Sequence, residues 1–315
     1  MTRIRYFLVL TLLITVIPIN ARAVEDGKVA SYTSQVLKVS VQYNELATGI
    51  LKQNNCSGTL TTPNVVATDA HCLFISEISE VQKDISKVLV GWANQSSLKG
   101  EPVKEIDVNP SYIFSGSSVA ANDIAYLVLS SSRDFDSNIR IASESEAQKL
   151  INSSAEATAY GYGFTSDKAS VMPEFPYTFI GNLSWPISNM AQFSADVRSK
   201  VGHACGGDSG GPIIIYSNGT PFLLGLISGV NYRRENCGGT SSSGEYVTQL
   251  ILLNQIDDFQ KKVLERASTY SSSQQPQAQQ PTVPSKKAGS ATCVRGVRKA
   301  PQKLGKCPKG YILKS

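Results

Sequence analysis

The chain has 315 residues, 41% of them hydrophobic and 17% charged, long enough for one or two globular domains and too apolar to stay unfolded along its whole length. Its formal charge of +5 is unevenly spread. Residues 24–266 hold 18 Lys and Arg against 25 Asp and Glu, net −7, while residues 267–315 hold nine cations and no acid, net +9, so the overall basic balance is a property of the tail and says nothing for a polyanion partner of the rest.

Residues 1–23 carry Arg3 and Arg5, an apolar run over 6–19 broken by Pro18, and then Ala21-Arg22-Ala23. The run is short for a membrane span and ends in the small-residue pattern that signal peptidase reads, which predicts a secretory signal cut after Ala23, an exported product and no transmembrane helix in its mature form. Six cysteines, an even number, agree with an oxidising destination. They allow fifteen pairings, of which spacing favours Cys56 with Cys72, Cys205 with Cys237 and Cys293 with Cys307. A metal site is not expected, because no Cys-x-x-Cys pair occurs. Nor is a cofactor.

From residue 24 onward, short apolar runs alternate with Gly, Asn, Ser and Pro, as at 36–41, 88–90, 125–129, 157–162, 212–216 and 222–228. This predicts an all-β fold. The polar stretch 130–146 is the expected boundary between two halves.

The first of only two histidines, His71, follows one apolar run in Ala67-Thr68-Asp69-Ala70-His71-Cys72. Asp123 opens another, Asn122-Asp123-Ile124-Ala125-Tyr126-Leu127, where a lone charge at the mouth of an apolar strand needs a partner. Ser209 lies within Gly206-Gly207-Asp208-Ser209-Gly210-Gly211-Pro212, exposed by glycines whose missing Cβ permits a tight turn. Each alone has a bland use: a structural histidine, a strand-end cap, a surface turn. Together they supply a nucleophile, a base to take its proton, and a carboxylate to orient the base; the Gly207 and Ser209 amides are placed to receive an oxyanion.

Near the end, Ile256, Phe259 and Val263 recur at helical spacing and predict one helix. Residues 267–291, rich in Ser, Gln and Pro, read as a linker, and residues 292–315 as a small basic two-cysteine tail.

Asp69-Ala70-His71-Cys72, Asn122-Asp123-Ile124-Ala125 and the Gly207–Pro212 stretch resemble, in that order, the three motifs of the trypsin/chymotrypsin-type serine endopeptidases. The resemblance runs over residues 24–266. It implies two antiparallel barrels of the six-stranded type, followed by a C-terminal helix, with His71, Asp123 and Ser209 as the triad in the cleft between the barrels. It also implies the Cys56–Cys72 and Cys205–Cys237 bridges. The tail resembles, over a shorter and weaker match, a basic module found at the ends of secreted bacterial proteins; anionic cell-envelope polymers are its expected partners, rather than nucleic acid.

The resemblance assigns His203, Ser228, Val230 and Gly244 to the primary substrate pocket. With His203 at its floor there is no aspartate to pair with Lys or Arg, so cleavage of the trypsin type is not expected. Val230 would favour small or medium residues, and a protonated His203 an acidic one. The resemblance further implies that a newly exposed amino terminus, here Val24, pairs with Asp208. A protein or peptide substrate, hydrolysed outside the cytoplasm or at the cell envelope, is one reading. A catalytically silent adhesion protein on the same scaffold is the other.

Overall fold

The computed structural model describes residues 27–30, 35–76, 78–91, 100–113, 122–166, 169, 171–187, 190–196, 202–230, 237, 245–253, 257–273, 292–295, 298–300 and 312–314. The chain divides into two compact units, Met1–Ser271 and Ser272–Ser315.

In the first unit the strands run β1 (Lys28–Val29), β2 (Val36–Asn44), β3 (Leu51–Thr62), β4 (Val65–Thr68), β5 (Phe74–Ile75), β6 (Glu80–Val81), β7 (Val88–Gly91), β8 (Glu101–Pro102), β9 (Glu105–Val108) and β10 (Ala125–Val128). There follow β11 (Arg140–Ile141), helix α1 (Glu144–Asn152), β12 (Glu156–Gly161), β13 (Tyr177–Ile187), β14 (Met190–Asp196), β15 (Pro212–Ser217), β16 (Thr220–Val230), β17 (Glu245–Leu252) and helix α2 (Asp257–Ser273). One sheet pairs in the order β8-β7-β2-β3-β4-β10-β9. In the other, β13-β12-β15-β16-β17-β14 pair in turn and β14 returns to β13, closing six strands into a ring. The two short strands β1 and β11 join that ring, on β13 and β16. The expected pair of curled β halves is present, with two differences: the first sheet has a seventh, two-residue strand, and the β11–β16 pairing is parallel.

The apolar runs look continuous because the central strands are buried on both faces. Along β4, Val66 enters the core of the first sheet, while Val65 and Ala67 face a second core that both sheets share. β10 behaves likewise, with Ala125 and Leu127 inside and Tyr126 and Val128 in the shared core. From the other side, Ile214 of β15 reaches the shared core while Ile213 and Ile215 fill the closed ring. Helix α2 lies against the shared core through Val263 and Ala267, both essentially inaccessible, and Phe259 rests on Tyr126 with ring centroids 5.6 Å apart. The helix therefore continues beyond Arg266 into the stretch read as linker, because Ala267 is buried and its carbonyl accepts a hydrogen bond from Asn64 Nδ2 at 3.2 Å.

Helix α1 was not expected, and it begins inside the stretch read as a polar boundary. Its start is fixed by Glu146, whose carboxylate accepts from the Ser143 amide at 2.9 Å, and its apolar face is Ala147 and Ile151, both buried, with Leu150 partly buried beside them. In the second unit, β18 (Thr292–Arg295), β19 (Arg298–Ala300) and β20 (Ile312–Lys314) form a three-stranded antiparallel sheet with β18 in the centre. Cys293 lies on β18; Cys307 lies outside the described residues, as do the signal stretch, Val24 and Gly244.

Candidate active site

Strand pairing brings the three motif residues together. β4 and β10 are antiparallel with Thr68 opposite Ala125, so the turn leaving β4 and the segment entering β10 meet at one end of the sheet. His71 sits in a short 3-10 turn, Ala70–Leu73, just past that end, and Asp123 stands two residues before β10. The Cys56–Cys72 disulfide ties the turn to β3, and the second disulfide, Cys205–Cys237, flanks the glycine-rich segment.

The segment holding Ser209 turns sharply into β15 and is pressed onto the first sheet. Ser209 O accepts the Ser57 amide at 2.8 Å, and Thr59 Oγ1 donates to Gly210 O at 2.9 Å. Gly210 has φ +84°, and a Cβ there would meet Ser57 O at 2.2 Å, so only glycine allows this approach.

His71 Nε2 lies 3.0 Å from Ser209 Oγ, and His71 Nδ1 lies 2.6 Å from Asp123 Oδ2. Asp123 is 3% exposed, yet it is well served: Oδ1 accepts the His71 backbone N–H at 2.7 Å and Oδ2 the Ser228 hydroxyl at 2.9 Å. These bonds orient the imidazole, with Nε2 facing the serine. Ser228, expected as a pocket wall, spends its hydroxyl on Asp123. Nothing in its local sequence signals this, since its partner is 105 positions away.

Around Ser209, the amides of Asp208, Gly210 and Gly211 donate to Cys205 O, Ile227 O and Asp208 O. Among the described residues no acceptor takes the Gly207 or Ser209 amide, and Gly207 adopts φ +94°. The Ser57 hydroxyl fixes this turn by donating to Gly207 O at 2.8 Å while accepting the Tyr162 amide at 2.9 Å, a role that sequence reading missed. Asp208 is fully buried, accepts the amides of Gly163 at 2.7 Å and Cys205 at 2.8 Å, and is pushed up to about 7 by burial, against those two bonds.

Of the residues expected to line the substrate pocket, His203 is 2% and Ser228 4% exposed, and Val230 packs half-buried against the core of the closed ring. One further group was missed. Asp69, inside the His71 motif, is wholly buried with Oδ2 3.8 Å from His71 Nδ1. Burial, reinforced by the Asp123 charge, holds its carboxyl well above the usual range, and the Gly210 amide, already bonded to Ile227 O, only partly opposes this. Asp69, His71 and Asp123 have ligand-capable atoms within 4.8 Å of one another. The 2.6 Å contact between His71 and Asp123 is nevertheless too short for a cation bound to both at about 2.0–2.2 Å in tetrahedral geometry.

A family model described as Trypsin matches residues 24–250. Vitamin K-dependent protein C of Rattus norvegicus is 30% identical over 217 residues, which are 62% of this chain and 44% of that protein. Chymotrypsin-like elastase family member 1 of Homo sapiens is 27% identical over 227 residues, 68% of this chain and 83% of the relative. Trypsin alpha of Drosophila melanogaster is 27% identical over 184 residues, 56% and 67% of the two chains. The chain thus spans less than half the length of the protein C it matches. With its two β halves, its serine–histidine–aspartate contacts and a family match over most of its length, the chain belongs to the Trypsin family.

Proposed function

We propose that this chain is a serine-type endopeptidase in which Ser209 is the nucleophile, His71 the general base and Asp123 the carboxylate that orients it. The observation that carries this reading is the unbroken series from Asp123 through both ring nitrogens to Ser209 Oγ, beside two amides that have no acceptor among the described residues. His71 Nε2 takes the hydroxyl proton as Oγ attacks the scissile carbonyl, and the carbonyl oxygen, becoming an oxyanion, moves toward the Gly207 and Ser209 amides. The protonated ring then gives its proton to the leaving amine, and water repeats the sequence on the acyl-enzyme.

His203 at the floor of the pocket favours a substrate side chain other than Lys or Arg. Two disulfides fit work in an oxidising compartment, reached through the signal at 1–23, with Val24 as the new amino terminus pairing with Asp208. The basic segment 292–315 is the part suited to anionic envelope polymers.

The deciding experiment is labelling with a fluorophosphonate, which reacts covalently with an activated serine whatever its substrate preference. Labelling at Ser209, lost in S209A together with a fall in peptide turnover on the order of 10⁶, is the expected result. A folded, unlabelled protein would instead be a binding protein on a protease scaffold.

A further inference from the structure

Two buried carboxylates flank the same imidazole, and only one has hydrogen bonds. Asp123 accepts three donors, from the His71 ring, the His71 backbone and Ser228. Neither carboxyl oxygen of Asp69 has a hydrogen-bond partner among the described residues, and none of its surface is accessible. Its Oδ2 is 3.8 Å from His71 Nδ1, too far to share that proton but close enough to feel the ring's charge strongly in a buried setting. The titratable groups facing Asp69 among the described residues are His71, Asp123 and Tyr112, whose own hydroxyl is pushed up by burial and then by both carboxylates.

Adjacent carboxylates in a dry site ionise in two separate steps, and the one with donors takes the negative charge first. Asp123 therefore holds it. Asp69, with no donor of its own, would be a costly second anion, so it keeps its proton at neutral pH and releases it only at alkaline pH.

We propose that Asp69 is a positioning residue for His71: a buried acid that is uncharged at neutral pH and that at alkaline pH adds a second negative charge behind the ring. The inference rests on His71 being the base for Ser209. When Asp69 gives its proton to solvent, the imidazolium formed during attack gains a second anion near Nδ1. The oxyanion forms beyond Ser209, on the Nε2 side, and is more distant from the added charge. The net effect is a more reactive serine.

The pH dependence of the second-order rate of Ser209 phosphonylation by a fluorophosphonate tests this on the full-length protein. In that reaction Ser209 Oγ bonds to phosphorus, fluoride leaves and His71 takes the hydroxyl proton, so the leaving-group step does not mask the base. The wild type should show two rises, one as the ring becomes neutral and a second at alkaline pH. D69N, which mimics the protonated acid, should lose the second rise while the first stays at its wild-type pH. A single rise in the wild type overturns the inference, as does a second rise that persists in D69N, or a first rise displaced to lower pH in D69N, which would mean that Asp69 is already ionised. If D69N does not fold, D69A serves, and infrared spectroscopy of D208N, which removes the other raised carboxyl, gives a second readout: a protonated-carboxyl band at neutral pH that disappears at the pH of the second rise. Its absence at neutral pH also overturns the inference. No labelling at any pH refutes the proposed function instead, so the two failures are distinguishable.

Discussion

Asp208 shows how far one buried side chain shapes its surroundings. A Cβ on Gly161 would come within 2.1 Å of its Oδ1, and one on Gly163 within 2.4 Å of its carboxylate, so two glycines of the neighbouring strand end exist to make room for it. Burial moves it from an ordinary 3.8 to about 7. A carboxyl raised on folding favours the folded state below its unfolded value, and that advantage is lost as pH rises through the folded one. Protein with a blocked amino terminus should therefore lose stability between about pH 4 and about 7, read as a falling denaturant midpoint. Asp69 acts with the same sign, so D208N should reduce the slope rather than abolish it. An ammonium at Val24 paired with Asp208 would flatten it too. At this scale the sequence was informative about chemical types: a lone histidine at a strand end, a charge entering an apolar run, a serine among glycines. It was silent on Ser57 and on the bond Ser228 makes to Asp123, because a serine's use depends on partners more than a hundred positions away. Asp69 stood in plain view as an acid next to the histidine, but only its burial distinguishes it from a surface residue.

The elements that carry these side chains are short, and their ends matter more than their middles. The 3-10 turn bearing His71 has four residues and is held by the bridge to β3. Closing that loop contributes roughly 3 kcal/mol by chain entropy. Replacing Cys56 and Cys72 together by serine should remove about that much stability in urea unfolding, and should slow Ser209 labelling as well, since the turn loses its anchor. Strand existence was legible from the apolar runs, whereas sheet membership was not. Val65 and Val66 look alike in sequence but face different cores, since a strand buried on both sides erases the alternation that would tell them apart. Helix α1 escaped notice because it is short: Ala147, Leu150 and Ile151 keep helical spacing for only about one turn within a polar stretch.

Across the whole molecule, the lower edge of the first unit is set by α2. Truncation after Ser273 should keep both the thermal midpoint and the labelling of Ser209. Truncation after Arg266 should lower the midpoint, because it removes Ala267 from the shared core and takes away the carbonyl that Asn64 uses. The change of composition at that point hid the boundary: small and polar residues can finish a helix if one of them meets a core.

Strand β1 precedes the entire first sheet in the chain, yet it pairs with β13, with Thr178 Oγ1 bonded to Lys28 O across 150 positions. The first sheet is thus an insertion between two pieces of the second. Joining ends that far apart carries a closure entropy of about 4 kcal/mol before a single contact forms, and contacts so remote in sequence slow folding. β1 supplies only two paired residues to offset it, with the Ala30 amide on Pro176 O at 2.9 Å and the Thr178 hydroxyl as the added ties. The described stretch 27–30 is thus held to the ring by a few local bonds set against a large closure cost.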